Sequence, residues 1–292
     1  MFTASFNYLY QFMDSFSFLV LAVAGLAVIF GMMGIINLAH GEFIMMGAYL
    51  FTIFAKASLP WPIAVIAGAG IVGVFGYLMD RLVISRLYQR PLDSVVATWG
   101  ISLLLKQGTL IILGPSLPGL TTPLGTFLLG SSTYSVYRIV LGFIAVMVLI
   151  GMYVLFNHTR FGLHSRATMQ NSQIAEALGI NTRRMYSSTF MFGSVLAGLC
   201  GALYAPTMTI TPTMGQAFQN ESFVTVIVGG ANPLVGVARS GGVLGMIQSI
   251  LALVFGTFIG KIGLLLVAII VIRVLPEGLS GVAEKAMMRK RR

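Results

Sequence analysis

Six stretches of this chain, residues 15–41, 57–79, 107–137, 139–159, 185–220 and 240–260, contain no Asp, Glu, Lys or Arg. Each reaches or exceeds the roughly 20 residues that an α-helix needs to cross a bilayer. One or two such runs could be buried helices of a soluble domain; six in 292 residues could not. Charged residues make up 9% of the chain against about a quarter in soluble domains, so no aqueous fold could solvate this surface. Lipid offers backbone amides no partners, and spans must therefore be helices or closed barrels. Barrel strands alternate apolar and polar, as the run Leu265 to Ile272 does not. The predicted fold class is all-α: a polytopic membrane helical bundle of about nine transmembrane helices, within a range of eight to ten, forming one domain over residues 1–292.

The spans are predicted near 16–36, 42–59, 62–79, 94–113, 139–156, 186–206, 222–237, 241–259 and 262–275. Between them, Arg81, Arg86 and Arg90 lie in 80–93, Arg160, Arg166, Arg183 and Arg184 in 157–185, and the chain closes on Arg289-Lys290-Arg291-Arg292. Basic loops stay on the cytoplasmic side. All three segments face it if the N-terminus is outside, the C-terminus is inside, and the uncharged, Gly/Pro/Ser/Thr-rich segment 114–137 is an outward loop. The net charge of +10 thus sets orientation and implies no nucleic-acid partner. The first apolar segment follows a start without Lys or Arg and reads as a retained span of an inner-membrane protein, not a cleaved signal. Cys200, the one cysteine, is read as apolar filler.

Small residues four apart let helix backbones approach closely in lipid. Gly193, Ala197, Gly201 and Ala205 form one such stripe, and Gly241, Gly245 and Ser249 another. Both read as helix packing.

Ionisable and polar residues inside a bilayer are costly and mark candidate function. Asn37-Leu38-Ala39-His40-Gly41-Glu42 interrupts two apolar segments. It is either a cytoplasmic turn, with His40 and Glu42 capping locally, or part of a translocation path, where irregular backbone is tolerated. Thr98 and Trp99 join this list of candidates, although a Trp near a span end is usually an interfacial anchor. Lys106 is expected to snorkel to the outer interface, and Glu221, beside Asn220, to sit at an interface.

Enzyme chemistry finds little support. Gly256-Thr257-Phe258-Ile259-Gly260-Lys261 is one residue short of a phosphate loop and continues with Ile262 where Ser or Thr would bind magnesium. Gly278-Leu279-Ser280-Gly281 matches the Gly-x-Ser-Gly of intramembrane serine proteases, but no histidine follows it. His158 and His164 match no metal-ligand spacing and are read as solvated loop histidines. No catalytic residue, metal or cofactor is assigned.

Within 157–185, Gln170 to Leu178 reads as a short helix with Asn171 as N-cap and Gly179 as its stop. Ile174, Ala175 and Leu178 are expected on one face. Such a helix either docks against another protein or lies on lipid headgroups.

Three segments taken together resemble one family. Gly34-Ile35-Ile36-Asn37-Leu38-Ala39-His40-Gly41-Glu42, Ala177-Leu178-Gly179-Ile180-Asn181 and Val226-Ile227-Val228-Gly229-Gly230 are similar, in order and spacing, to the permease subunits of ABC importers for branched-chain amino acids and urea. The resemblance implies two cytoplasmic ATP-binding subunits that use the ATP, a second related permease, and an extracytoplasmic solute-binding protein that delivers a small polar solute and holds most of the specificity. It also implies that Gln170, Asn171, Ile174, Ala175, Leu178, Gly179 and Ile180 belong to a segment coupling the permease to an ATPase. Arg90-Pro91-Leu92-Asp93, Ala97-Thr98-Trp99-Gly100 and Arg166-Ala167-Thr168-Met169-Gln170-Asn171 look closer to the urea type, favouring urea or a short amide over a branched-chain amino acid. The rival class is a self-contained secondary transporter or channel. It would need ion-coupling acidic or histidine groups at midplane, and the chain has few.

Overall fold

The computed structural model describes residues 2–88, 90–130, 132–230, 232–275 and 278–281. The basic tail 289–292 and Ser131 lie outside them. Eleven α-helices account for most of the described chain: α1 Phe2–Met33, α2 His40–Lys56, α3 Trp61–Leu82, α4 Pro91–Leu113, α5 Val136–His158, α6 Arg160–Gln170, α7 Ser172–Ala177, α8 Thr182–Tyr204, α9 Gly215–Gly229, α10 Pro233–Phe255 and α11 Thr257–Val274. The protein is thus an all-α polytopic bundle. Seven helices, α2 and α9 not among them, are long and apolar enough to cross a membrane.

Local chemistry fixes the helix ends. Prolines lie in the first turns of α3, α4 and α10, where the missing N–H is one the helix leaves unpaired anyway. Thr159, Asn171, Asn181 and Asn232 accept backbone N–H groups from the first turns of α6, α7, α8 and α10, the capping role expected of these side chains.

Several boundaries differ from expectation, among them the start of α9 at Gly215 instead of near 222. The predicted break between 237 and 241 does not exist, because α10 runs unbroken from Pro233 to Phe255. The break falls earlier, where Gly230 adopts φ +84 and Asn232 and Pro233 start a new helix. α1 begins at Phe2 instead of near 16; at 32 residues it is about 48 Å long, more than a hydrocarbon core needs. The 114–137 segment is not wholly irregular: β1 Thr126–Leu129 and β2 Ser132–Ser135 pair antiparallel, Thr126 opposite Ser135.

Two compact units can be described, one of residues 24–121 and 151–220, the other of 1–23, 122–150 and 221–292. In the first, α8 is the shared partner of α1, α2 and α3, and small residues set the approach. Gly193 meets Gly25 and Ile29, Gly198 meets Gly47 and Val72, Gly201 meets Ile44 and Ala48, and Gly76 faces Ser194. Ala197 and Ala205 are fully buried, although Ala205 already belongs to a 3-10 turn past the end of α8. The stripe read from sequence omitted Gly198, one position off its four-residue register. A helix packed on two sides needs small residues on two faces.

In the second unit, Leu19, Val228, Leu244, Leu264 and Ala268 form a buried cluster. Gly241 and Gly245 bring α10 against Phe16 and Val20 of α1. The β-hairpin packs on the start of α1 through Tyr134, whose ring lies 5.1 Å from Phe6 and 4.9 Å from Tyr10. Asp14 and Arg138 form an ion pair there.

Candidate translocation site and coupling segment

The 34–39 segment breaks the helical run because Gly34 turns into the left-handed region at φ +65. Asn37 then folds back, its Oδ1 accepting the Ala39 N–H at 3.0 Å, and α2 starts at His40. Asn37, His40 and Glu42 are all buried. Thr98 holds the break from the side: its Oγ1 accepts the Leu38 N–H at 3.1 Å and donates to Val95 O at 3.0 Å. Thr98 is seven residues into α4, about 10 Å along its axis. The break is therefore level with the interior of a membrane-length helix, not with its end, so the surface-turn reading fits poorly.

Four residues of α4, Ser94, Thr98, Ser102 and Lys106, recur at every fourth position and so line one stripe. The three hydroxyl residues are buried, while Leu92, Val96, Leu104 and Ile111 on other faces are strongly exposed. Lys106 does not simply snorkel outward, as its sequence context suggested. Its Nζ lies 3.9 Å from Glu42 Oε1, with the Lys side chain 23% and the Glu side chain 2% exposed. Ser102 also interacts with the Glu42 carboxylate. Two polar atoms of this cluster, Asn37 Nδ2 and Glu42 Oε2, are buried with no hydrogen-bond partner among the described residues. Asn37, His40, Glu42 and Thr98 are thus brought together. Trp99 is not: it is 55% exposed on another face of α4. The four-residue stripe was visible in the sequence, and only its neighbours were not.

Glu221, expected at an interface, is also buried, and its Oε1 lies 2.9 Å from Lys261 Nζ. The phosphate-loop look-alike ending at Lys261 is a one-residue connection, Gly256 at φ +90, followed by the first turns of α11. Ser280 is buried, and its Oγ accepts the Asn232 N–H at 3.5 Å.

The 157–185 segment contains two helices. Residues 160–170, expected as loop, form α6 because Thr159 caps it. Gln170 therefore ends α6 and is not the start of the next helix. Asn171 caps α7 through Ile174 N–H at 3.0 Å, and Gly179 at φ +86 ends it, with Ile180 N–H returning to Ala175 O. Ile174 and Leu178 are 59% and 76% exposed, whereas Ala175 points inward at 1%. The expected three-residue face is thus a two-residue outward ridge backed by Ala175.

A cleft of about 520 Å³ lies beside this ridge, lined by residues including Ser172, Glu176, Arg183, Tyr88 and Tyr186. Thr182 donates to the Glu176 carboxylate, tying α7 to α8. Below, the buried Asp80 at the end of α3 accepts Tyr88 OH at 2.8 Å and Ser187 Oγ at 2.6 Å. Burial and the neighbouring Asp80 charge hold the Tyr88 hydroxyl well above its usual pKa, so it remains a donor. Removing it in Tyr88→Phe is expected to cost about 2 kcal/mol, typical of a hydrogen bond to a charged group. The variant should lower the thermal midpoint of the purified protein, measured beside Tyr153→Phe, at an exposed tyrosine, as a control.

Comparison with known proteins identifies the family. The family model for the permease component of branched-chain amino acid transport systems matches residues 8–275. The chain is 29% identical to the probable branched-chain amino acid transport permease protein LivH of Methanocaldococcus jannaschii, over 93% of this chain and 91% of that one. It is 25% identical to the high-affinity branched-chain amino acid transport system permease protein BraD of Pseudomonas aeruginosa, over 94% and 96%. A fructose import permease protein of Rhizobium meliloti is 26% identical over 74% and 58%. No solved structure matches this chain. With a family model that matches it across nearly its whole length, the chain belongs to the permease family of branched-chain amino acid ABC transport systems.

Proposed function

We propose that this protein is a membrane-spanning subunit of an ATP-driven importer whose cargo is a branched-chain amino acid. The observation that carries the substrate is the end-to-end similarity to permeases named for that cargo. The leaning toward urea or a short amide rested on short runs such as Arg90 to Asp93, and the relatives give it no support. In this reading, a solute-binding protein docks outside and two ATP-binding subunits act inside, with a second related permease completing the path. The chain itself is a transport subunit, not the ATPase. The N-terminus is outside and the C-terminus cytoplasmic, as the basic segments require.

ATP-driven movement reaches the bundle through the α7 ridge, and the buried cluster of Asn37, His40, Glu42 and Thr98 borders the path. Ile174 and Leu178 suit a partner groove because they are apolar, exposed and held by caps at both ends of α7. Leu178→Asp would carry an unpaired carboxylate into that groove, where desolvation is costly. In reconstituted complexes, ATP hydrolysis stimulated by the loaded binding protein should fall at least about tenfold, the cost of roughly 1.4 kcal/mol of lost docking. The binding protein should keep its affinity. Unchanged ATP-driven uptake, at normal amounts of assembled complex, would take Leu178 off the coupling surface.

A further inference from the structure

Buried carboxylates next to lysines occur in both compact units, and in both the chain order is the same. A short helix that follows an irregular break carries the Glu, and the second helix after it carries the Lys: Glu42 on α2 with Lys106 on α4, and Glu221 on α9 with Lys261 on α11. In each pair Oε1 faces the ammonium, while Oε2 is buried without a hydrogen-bond partner among the described residues. The second unit has further orphan atoms. Ser222 Oγ, next to Glu221, and Gln248 Oε1 on α10 are also buried and unpartnered among the described residues. Gln248 lies one helical turn beyond Leu244 on α10, and Lys261 about one turn before Leu264 on α11, and Leu244 and Leu264 meet in the buried cluster of this unit, so the two residues share the face on which α10 and α11 pack.

We propose that Glu221, Lys261, Ser222 and Gln248 form a station that holds the zwitterionic end of an α-amino acid as it crosses, with Glu42 and Lys106 as its counterpart in the other unit. The inference rests on the amino-acid reading of the cargo above. A buried ion pair with spare acceptors is costly when empty, because desolvation offsets much of its attraction and each orphan polar atom adds its own penalty. An α-amino acid relieves that cost. Its ammonium donates to Glu221 Oε2 and to Gln248 Oε1, and its carboxylate takes the N–H groups that Lys261 does not spend on Glu221, an ammonium having three to give. The four charges alternate in sign and sum to zero, so the station is neutral both empty and full. The Lys261 side chain is 49% exposed, so cargo reaches the pair from the lysine side. A sugar or urea has no ammonium for Glu221, so the station discriminates by charge where the side-chain shape of the cargo is irrelevant.

The test is ATP-driven uptake of radiolabelled leucine by the full complex in proteoliposomes, expressed per ATP hydrolysed so that differences in ATPase turnover and in the amount of complex cancel. Gln248→Met should lower this ratio about tenfold, the worth of one charge-assisted hydrogen bond. Met removes a buried orphan acceptor, so in a merely structural role it would leave the ratio unchanged and the protein equally or more stable. Glu221→Lys alone should lower the protein's amount in the membrane, and exchanging the pair, Glu221→Lys with Lys261→Glu, should restore the amount but not the ratio. A normal ratio in either variant overturns the station while leaving the cargo assignment intact. A wild-type complex that moves no α-amino acid removes the cargo assignment and the station with it.

Discussion

Membranes expressing Gly201→Leu will contain little of this protein. Gly201 sits where α8 crosses α2, and even a methyl group there would land on the Ile44 carbonyl and 2.9 Å from the Ala48 nitrogen. Both are backbone atoms in the middle of a helix, so neither can swing aside as the tip of a long side chain can. A leucine must push α2 away, and overpacking of this kind costs about 3 kcal/mol or more. Helices in lipid gain no hydrophobic drive to compensate; their association rests on close packing and hydrogen bonds. The separated helices would also release Gly47 and Gly198, which meet one turn away. Gly108→Leu is the control, because nothing lies within 4 Å of a Cβ at Gly108, and it should leave the amount unchanged. Immunoblots of washed membranes measure both. Equal amounts of the two variants would mean that α2 and α8 do not cross at Gly201 in the assembled protein.

Much of this was legible because lipid imposes simple rules. Long uncharged runs gave the helices, and small residues at fourth positions marked Gly193, Gly201, Gly241 and Gly245 as contact points. The Asn171 cap and the Gly179 stop were readable because caps are local chemistry, settled within one turn. The boundary near 230 was missed for an instructive reason. Apolar content is continuous from Val226 to Val254 apart from Arg239 and a few polar residues, so hydropathy could not show that Gly230, Asn232 and Pro233 end one helix and start another. The α6 helix was missed because its composition is polar, and a helix that lies outside the apolar runs carries no hydropathy signal. The pairings of Lys106 with Glu42 and Lys261 with Glu221 were beyond reach altogether. They join residues far apart in sequence, and a lone lysine near a span end has an innocent explanation in snorkelling. The hydroxyl stripe of Ser94, Thr98 and Ser102 was the available clue, since a polar row on a helix otherwise bathed in lipid needs something polar to face.

Lys106→Met separates a structural role of that stripe from a role in transport. The substitution keeps an unbranched apolar stem of similar length and removes only the charge, leaving the Glu42 carboxylate buried beside Ser102 with no cation. Breaking a buried ion pair from one side costs about 3–5 kcal/mol. The lower end, about 3 kcal/mol, applies here, because the 3.9 Å separation is long and so the Coulombic gain being lost is small. The single variant should therefore melt earlier and accumulate less. Adding Glu42→Gln removes the stranded charge, and the double variant Glu42→Gln/Lys106→Met should regain most of that stability, as paired removal of buried charges usually does. If the pair serves only to hold α2 against α4, ATP-driven uptake will recover along with stability. If Glu42 borders the path, uptake will remain low in a well-folded complex, because a neutral amide cannot offer a cationic cargo group the carboxylate oxygen that is now unpartnered. Recovery of uptake in the double variant, measured at matched amounts of complex, would reduce the buried cluster of Asn37, His40, Glu42 and Thr98 to a helix clamp.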